Sequence, residues 1–328
     1  MPDSKYDVLG IGNAIVDVLA RTDEAFLARH GFVKGTMQLI DEDTAHNLYT
    51  QMSAGVEQSG GSAANTIAGI AALGGRGAFI GRVRNDQLGE IFAHDIRAIG
   101  VHFDTPAATK GPTTARCLVL VTSDGERTMN TYLGASTALG PRDIDPKLVA
   151  QSKVTYLEGY LWDPEEAKQA FLEAAALAHR AGRQVALSLS DPFCVDRHRE
   201  DFRKLVKDEV DILLANEDEI KSLYEVDHFD AALQKVRGEC ELAVLTRSAA
   251  GSVVVNGEET HIIGAAPVDE VVDATGAGDL FAAGFLYGHT NGLDVTRSAR
   301  LGALAAAEAI SHFGARPERE LESFIDQV

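Results

Sequence analysis

The sequence predicts an α/β fold, a three-layer α/β/α arrangement around a mostly parallel central sheet, with a small β-sheet lid. Three observations carry that expectation. Short apolar runs recur at residues 7–12, 78–83, 154–157, 185–189, 211–215 and 242–246. Helical patterns such as PEEAKQAFLEAAALAHRA (164–181) and the stretch 230–237 separate most of them, and strands alternating with helices build parallel sheets covered on both faces. Two stretches, 14–40 and 112–133, break the alternation.

Taken in order, the run at 7–12 is the first buried strand, and 14–40 supplies pieces of the small sheet. The stretch 112–133 reads as a strand, a turn at 123–125 and a second strand; TARCLVLVT and ERTMNTYL are β-branched and partly alternating, which suits an antiparallel hairpin with one wet face. GSVVVNGEETHII (251–263) carries Asn256-Gly257 between two strand-like runs and predicts a further hairpin. The Ala-rich LGALAAAEAI (301–310) predicts a tightly packed buried helix. The expected division is a discontinuous large unit (1–13, 41–111 and 137–328) and a lid (14–40 and 112–136) able to close over the strand ends.

Composition bounds the function. With 30 Lys plus Arg against 49 Asp plus Glu, the net charge is −19, which repels nucleic acid and anionic membranes but leaves room for a nucleotide held by a few amides and cations. The three cysteines, Cys117, Cys194 and Cys240, have no zinc-site spacing and fit buried positions in a reducing, cytoplasmic setting. Asp7, Asn13 and Asp17 interrupt the apolar N-terminal stretch, so a secretory leader is not expected.

Several motifs carry chemistry. Gly10-Ile11-Gly12 follows the first strand, but Ile15 stands where the dinucleotide fingerprint requires its third glycine and no helix pattern follows, so that reading fails. The strand instead presents Asn13 and Asp17 at the carboxyl edge, where open α/β sheets bind ligands; a plain turn fits these two residues equally well. In QSGGSAAN (58–65), Ser62 is expected to cap the following helix, Gly60 and Gly61 to let its N-terminus approach a ligand, and Asn65 to bond a polyol; an ordinary glycine turn is the alternative. Asn216-Glu217-Asp218-Glu219 has capping-box spacing, and Asn216 and Glu219 also suit a hydrated magnesium ion reached through water. Thr246 and Arg247 at a strand end, with Gly251 at the next turn, suit phosphate contacts or a simple surface hairpin.

VDATGAGDLFAAGFLYG (272–288) is the most informative stretch. A helix starting near Gly276 offers free amides and its dipole to an anion. Asp279 in that first turn either complements the dipole or takes a proton from a hydroxyl beside the anion. Two glycines, each costing roughly 1 kcal/mol of helix stability relative to Ala, favour close approach of a ligand and hence phosphoryl transfer. The chain contains no GxxxxGK[ST] and no HRD or DFG set, so the phosphate machinery is neither a P-loop nor a protein kinase.

GGSAANTIAGIAALGG and DATGAGDLFAAGFLYG resemble the two signatures of the PfkB, or ribokinase-like, carbohydrate and nucleoside kinases, and the resemblance extends over essentially the whole chain. It implies a ribokinase-like fold and an ATP- and Mg2+-dependent kinase, with K+ near the second signature in some relatives. Asp279 would be the catalytic base, with Gly276, Ala277 and Gly278 the anion hole. Asn216 and Glu219 would organise the metal and phosphates. Thr246, Arg247, Gly251 and Thr275 would line the ATP side, with His312 and Gly314 near the base and Arg127, or its competitor Arg116, closing over the phosphates. Asn13, Asp17, Gly61, Ser62 and Asn65 would hold the acceptor. GNAIVD and KGTMQLIDED, with Gln38, look like the adenosine kinase branch, in which Gln38, Leu133 and Tyr160 would surround a purine. YLGAS (132–136) is also similar to fructokinase-like sugar kinases. The expected partners are therefore ATP and adenosine or a sugar, with neither nucleic acid nor membrane, in a monomer or homodimer; a catalytically silent nucleoside-binding regulator is the rival of another class.

Overall fold

The computed structural model describes residues 4–328, so residues 1–3 of the expected large unit lie outside the described residues. The strands in chain order are β1 (Tyr6–Ile11), β2 (Ile15–Arg21), β3 (Met37–Leu39), β4 (Gly55–Gly60), β5 (Gly77–Ile80), β6 (Ala115–Val121), β7 (Arg127–Tyr132), β8 (Ser152–Glu158), β9 (Gln184–Ser188), β10 (Ile212–Asn216), β11 (Leu242–Thr246), β12 (Ser252–Asn256) and β13 (Glu259–Ile263). The helices are α1 (Glu24–His30), α2 (Glu42–Gln51), α3 (Ser62–Ala72), α4 (Gln87–Ala98), α5 (Pro146–Ala150), α6 (Glu165–Arg180), α7 (Pro192–Asp208), α8 (Glu217–Tyr224), α9 (Phe229–Arg237), α10 (Ala277–Thr290) and α11 (Val295–Ala309).

The large sheet runs β13-β12-β11-β10-β9-β8-β1-β5, parallel from β5 through β11 and antiparallel at the β11-β12-β13 end. Its parallel strands are apolar on both faces because helices cover both. Val8, Tyr156, Ile212 and Val244 face the core shared with α3, α4, α10 and α11, whereas Leu9, Leu157, Leu213 and Leu245 face the core shared with α5 through α9.

The smaller sheet runs β3-β7-β6-β2-β4. Period-two alternation sorts its two faces: Val16, Val18, Leu118 and Leu120 are buried with Leu27 of α1 and Ala45 and Leu48 of α2, while Ile15, Asp17, Leu19, Cys117 and Val119 line a cavity. The sheet also takes in β4, inside the stretch 41–111 that the sequence analysis leaves with the large unit. GVEQSG is polar and glycine-framed, a weak strand signal, yet glycine is required there: a Cβ at Gly55 would sit 2.6 Å from the Leu19 carbonyl oxygen, and one at Gly60 would overlap the Asp17 carboxylate.

Small residues also set the packing behind the cavity. A Cβ at Gly69 would lie 2.6 Å from that of Ala283, so α3 and α10 approach closely and their N-termini converge. Gly12 has the same kind of role, since a Cβ there would overlap the Glu158 carboxylate and crowd Ala63.

Candidate active site

A cavity of about 1040 Å³ lies between the carboxyl ends of the large sheet and the inner face of the small one. Every residue assigned to the site from the family resemblance lines it except Arg247, His312 and Arg116, the competitor of Arg127. Arg247 turns aside, held 2.8 Å from Glu217 with its guanidinium 4.2 Å from the Phe229 ring centre. His312 packs 3.2 Å from the buried carboxylate of Glu308. In both positions a neighbouring carboxylate packs against the side chain, and neither residue lines the cavity.

At the centre, the α10 N-terminus opens on the cavity. Gly276 is left-handed at φ 79°, and a Cβ there would lie 2.6 Å from that of Ala315, so glycine is a backbone and packing requirement. Gly278 differs: a Cβ there would meet no protein atom within 4 Å. The space in front of it belongs to the cavity, beside the first-turn amides that a helix leaves without intrahelical partners.

Asp279 stands in that first turn and is only half-covered, its open side being the cavity. Its Oδ1 accepts from Ser62 Oγ at 2.6 Å and its Oδ2 from Asn65 Nδ2 at 3.0 Å. Burial pushes its pKa up, while these two bonds and the nearby Arg316 guanidinium pull it down. Ser62 therefore does not cap α3. The N-cap is Gly61, at φ 98° and without a side-chain cap, because the serine hydroxyl is committed to Asp279.

Glu158 was not anticipated from sequence, and it organises the adjoining corner. Its Oε1 accepts from Asn13 Nδ2 at 2.6 Å and from the Asn13 amide at 3.3 Å, and its Oε2 from the Ala63 amide at 2.8 Å. Burial raises its pKa to about 7 despite those donors. With its amide nitrogen turned to Glu158, Asn13 leaves Oδ1 buried and unpaired; Asn65, with its nitrogen on Asp279, does the same. Both line the cavity and are only 2% and 5% exposed. Asp17, whose pKa burial raises to about 6, adds carboxylate oxygens to the same wall. Unpaired buried acceptors on residues that line the cavity call for a ligand rich in donors, such as a polyol.

The one signal for Glu158 in the sequence is a weak one, a charge ending the apolar VTYLE run. Arg316 was also missed: its guanidinium donates to the Ser59 and Ala64 carbonyls at 3.1 and 2.9 Å and stands opposite Asp17 and Asp279, with burial lowering its pKa to about 10.

Arg127, rather than Arg116, faces the cavity. It does not reach across empty space toward a phosphate position: its Nη1 is 2.8 Å from Asp273 Oδ2, with side chains 8% and 7% exposed, and it lies 5.6 Å from the Phe313 ring centre. Asp273 also accepts from the Thr275 and Gly314 amides, both at 3.0 Å, and so shapes the loop before α10. Arg116 instead lies 5.9 Å from Tyr49 and 6.0 Å from Tyr132, on the covered face of the lid. Gln38 donates to Asn130 Oδ1 at 2.8 Å.

Asn216 and Glu219 form a reciprocal capping box on α8, with Glu219 Oε2 accepting from the Asn216 amide at 2.9 Å and the Glu219 amide bonding Asn216 Oδ1 at 2.9 Å. Burial pushes the Glu219 pKa up to about 7, with Asp191 and Asp218 adding to the rise. Among the described residues no three His, Cys, Asp or Glu side chains gather to ligate a metal directly. Glu219 and Asp191, both on the cavity wall, are like charges in a poorly solvated place, which fits a hydrated divalent cation held through water.

The model of the pfkB family carbohydrate kinases matches residues 34–321. The chain belongs to that family. It is accordingly an ATP-dependent kinase that phosphorylates a hydroxyl group, and its architecture is the ribokinase-like α/β fold. A crystal structure of adenosine kinase from Sinorhizobium meliloti is 54% identical, covers 99% of each chain and superposes with a TM-score of 0.91. A probable sugar kinase from Rhizobium etli is 49% identical over 99% of this chain and 98% of its own, with a TM-score of 0.92. Adenosine kinase of Saccharomyces cerevisiae is 26% identical over 93% of this chain and 94% of its own. No helix among the described residues is long and apolar enough to cross a membrane.

Proposed function

We propose that this kinase phosphorylates the 5′-hydroxyl of adenosine, giving AMP and ADP, with Mg2+ accompanying ATP. One observation carries the choice of acceptor. Beyond the polar corner of Asn13, Asp17 and Asn65, the cavity continues along an apolar wall of the lid formed by Ile15, Leu19, Val119, Met129 and Leu133. A bare sugar would leave that wall facing water, whereas a ribose in the polar corner places an attached base against it. Gln38 borders the same region, and Tyr160 lines the cavity near Glu158.

In this reading the acceptor hydroxyl is brought to Asp279, which accepts its proton as the oxygen attacks the γ-phosphorus of ATP. The first-turn amides around Gly276, Ala277 and Gly278 stabilise the negative charge that the phosphoryl oxygens carry through the transfer. Asn216 and Glu219 would hold a hydrated Mg2+ that offsets phosphate charge, while Thr246, Gly251, Thr275 and Gly314 border the nucleotide. ADP release measured with adenosine, fructose, ribose and inosine as acceptors tests the reading. Turnover with adenosine at least a hundredfold above the sugars is expected; preference for fructose makes the chain a sugar kinase, and tight adenosine binding without turnover overturns adenosine as the acceptor.

A further inference from the structure

We infer that Ser62 is a positioning residue for Asp279, fixing the orientation of its carboxylate rather than touching the acceptor. The inference rests on the reading of Asp279 as the base. Its ground is geometric: α3 and α10 close on each other through Gly69 and Ala283, and at their converging ends Ser62 Oγ meets Asp279 Oδ1 at 2.6 Å.

The bond uses the one proton Ser62 owns, so the hydroxyl has none left to give an acceptor oxygen. It also replaces the cap that serine would supply at this position, and α3 is left with glycine as its N-cap. With Asn65 Nδ2 on Oδ2 at 3.0 Å, both carboxylate oxygens are anchored from one helix face at spacing i, i+3. The carboxylate can then neither rotate nor turn away, and each oxygen keeps a lone pair free toward the cavity.

Donation to the ionised form also favours it. The other charged and titratable groups facing Asp279 are Arg316 beyond α11, Asp17 on β2, Tyr156 and Glu158 on β8, and Tyr160 after β8. Of these only Arg316 favours the anion, so losing the Ser62 bond leaves Asp279 easier to protonate.

The test is the pH profile of kcat/KM in Ser62→Ala, with Ser62→Thr as the variant that keeps the hydroxyl. The acid limb is expected to move up by about one pH unit in Ser62→Ala, with turnover lost on the acid side of the profile and recovering on the alkaline side, and with the acceptor KM nearly unchanged; Ser62→Thr restores the profile. An unmoved acid limb, or a raised acceptor KM with the limb unmoved, overturns the inference. Asp279→Asn measured alongside separates the two failures: if it turns over normally, the base reading itself falls, whereas if it is inactive and the Ser62→Ala limb stays put, only the role of Ser62 does.

Discussion

Gly278 and Gly276 sit two residues apart at the start of α10, and substituting each with alanine should have opposite effects on stability. A methyl at Gly278 meets no protein atom within 4 Å, and its backbone is not left-handed, so the helix gains about 0.5–1 kcal/mol from the lost glycine. That corresponds to about 1 °C in Tm for a chain this long. The same methyl stands where a phosphoryl oxygen must come within hydrogen-bond distance of the first-turn amides, and pushing the transferred group back by about 1 Å costs roughly a hundredfold in kcat. Gly276→Ala instead places its methyl 2.6 Å from the Ala315 side chain on a backbone at φ 79°, and loses about 1–3 kcal/mol of stability. Thermal unfolding beside ADP release reads both. Wild-type turnover in a folded Gly278→Ala enzyme would refute the placement of the phosphoryl group at this helix end.

Two further outcomes follow from the cavity wall. Val119→Asn, on the cavity face of β6, should raise the KM for adenosine about tenfold while leaving kcat within a factor of a few, because it wets the surface assigned to the base; an unchanged KM places the base elsewhere. For Glu219, the folded pKa of about 7 lies above the ordinary glutamate value of 4.5, so the folded state binds the proton more tightly than the unfolded chain. Its ionisation therefore erodes stability as pH rises from about 4.5 to about 7, the window between the two values. Glu219→Gln keeps a capping-box acceptor and should flatten the fall of Tm over that window in nucleotide-free protein; an unchanged slope would show that Glu219 does not titrate there.

What could be read in the sequence was local. The alternation of apolar runs with helical patterns is a direct print of strands buried on both faces, and the parallel sheet follows from it. The glycines of the second signature carried a backbone cost that only a ligand or a close approach explains, and the structure divides them: Gly276 for approach to Ala315, Gly278 for open space. What could not be read depends on contacts across the chain. Ser62 looked like a cap because sequence shows only the helix it begins, whereas Asp279, 217 positions away, takes its hydroxyl. Arg127 looked free to reach phosphate, and its pairing with Asp273 exists only once β7 lies against the loop before α10. Glu158 carried no motif, and its importance appears only when Asn13 and the start of α3 converge on it. Strand β4 was hidden for a related reason, its glycines making room for Leu19 and Asp17 of the neighbouring strand β2 rather than signalling a strand themselves.

In the proposed reaction Asp279 activates the acceptor hydroxyl, and the most direct measurement is turnover of Asp279→Asn with adenosine and ATP, taken together with equilibrium adenosine binding. The amide is nearly isosteric and keeps an oxygen to accept from Ser62 or Asn65, so the fold and the acceptor corner should persist, with adenosine bound within a few-fold of the wild-type affinity. Turnover should fall by roughly a hundredfold or more. Turnover close to wild type in the folded variant would mean that Asp279 is not the base.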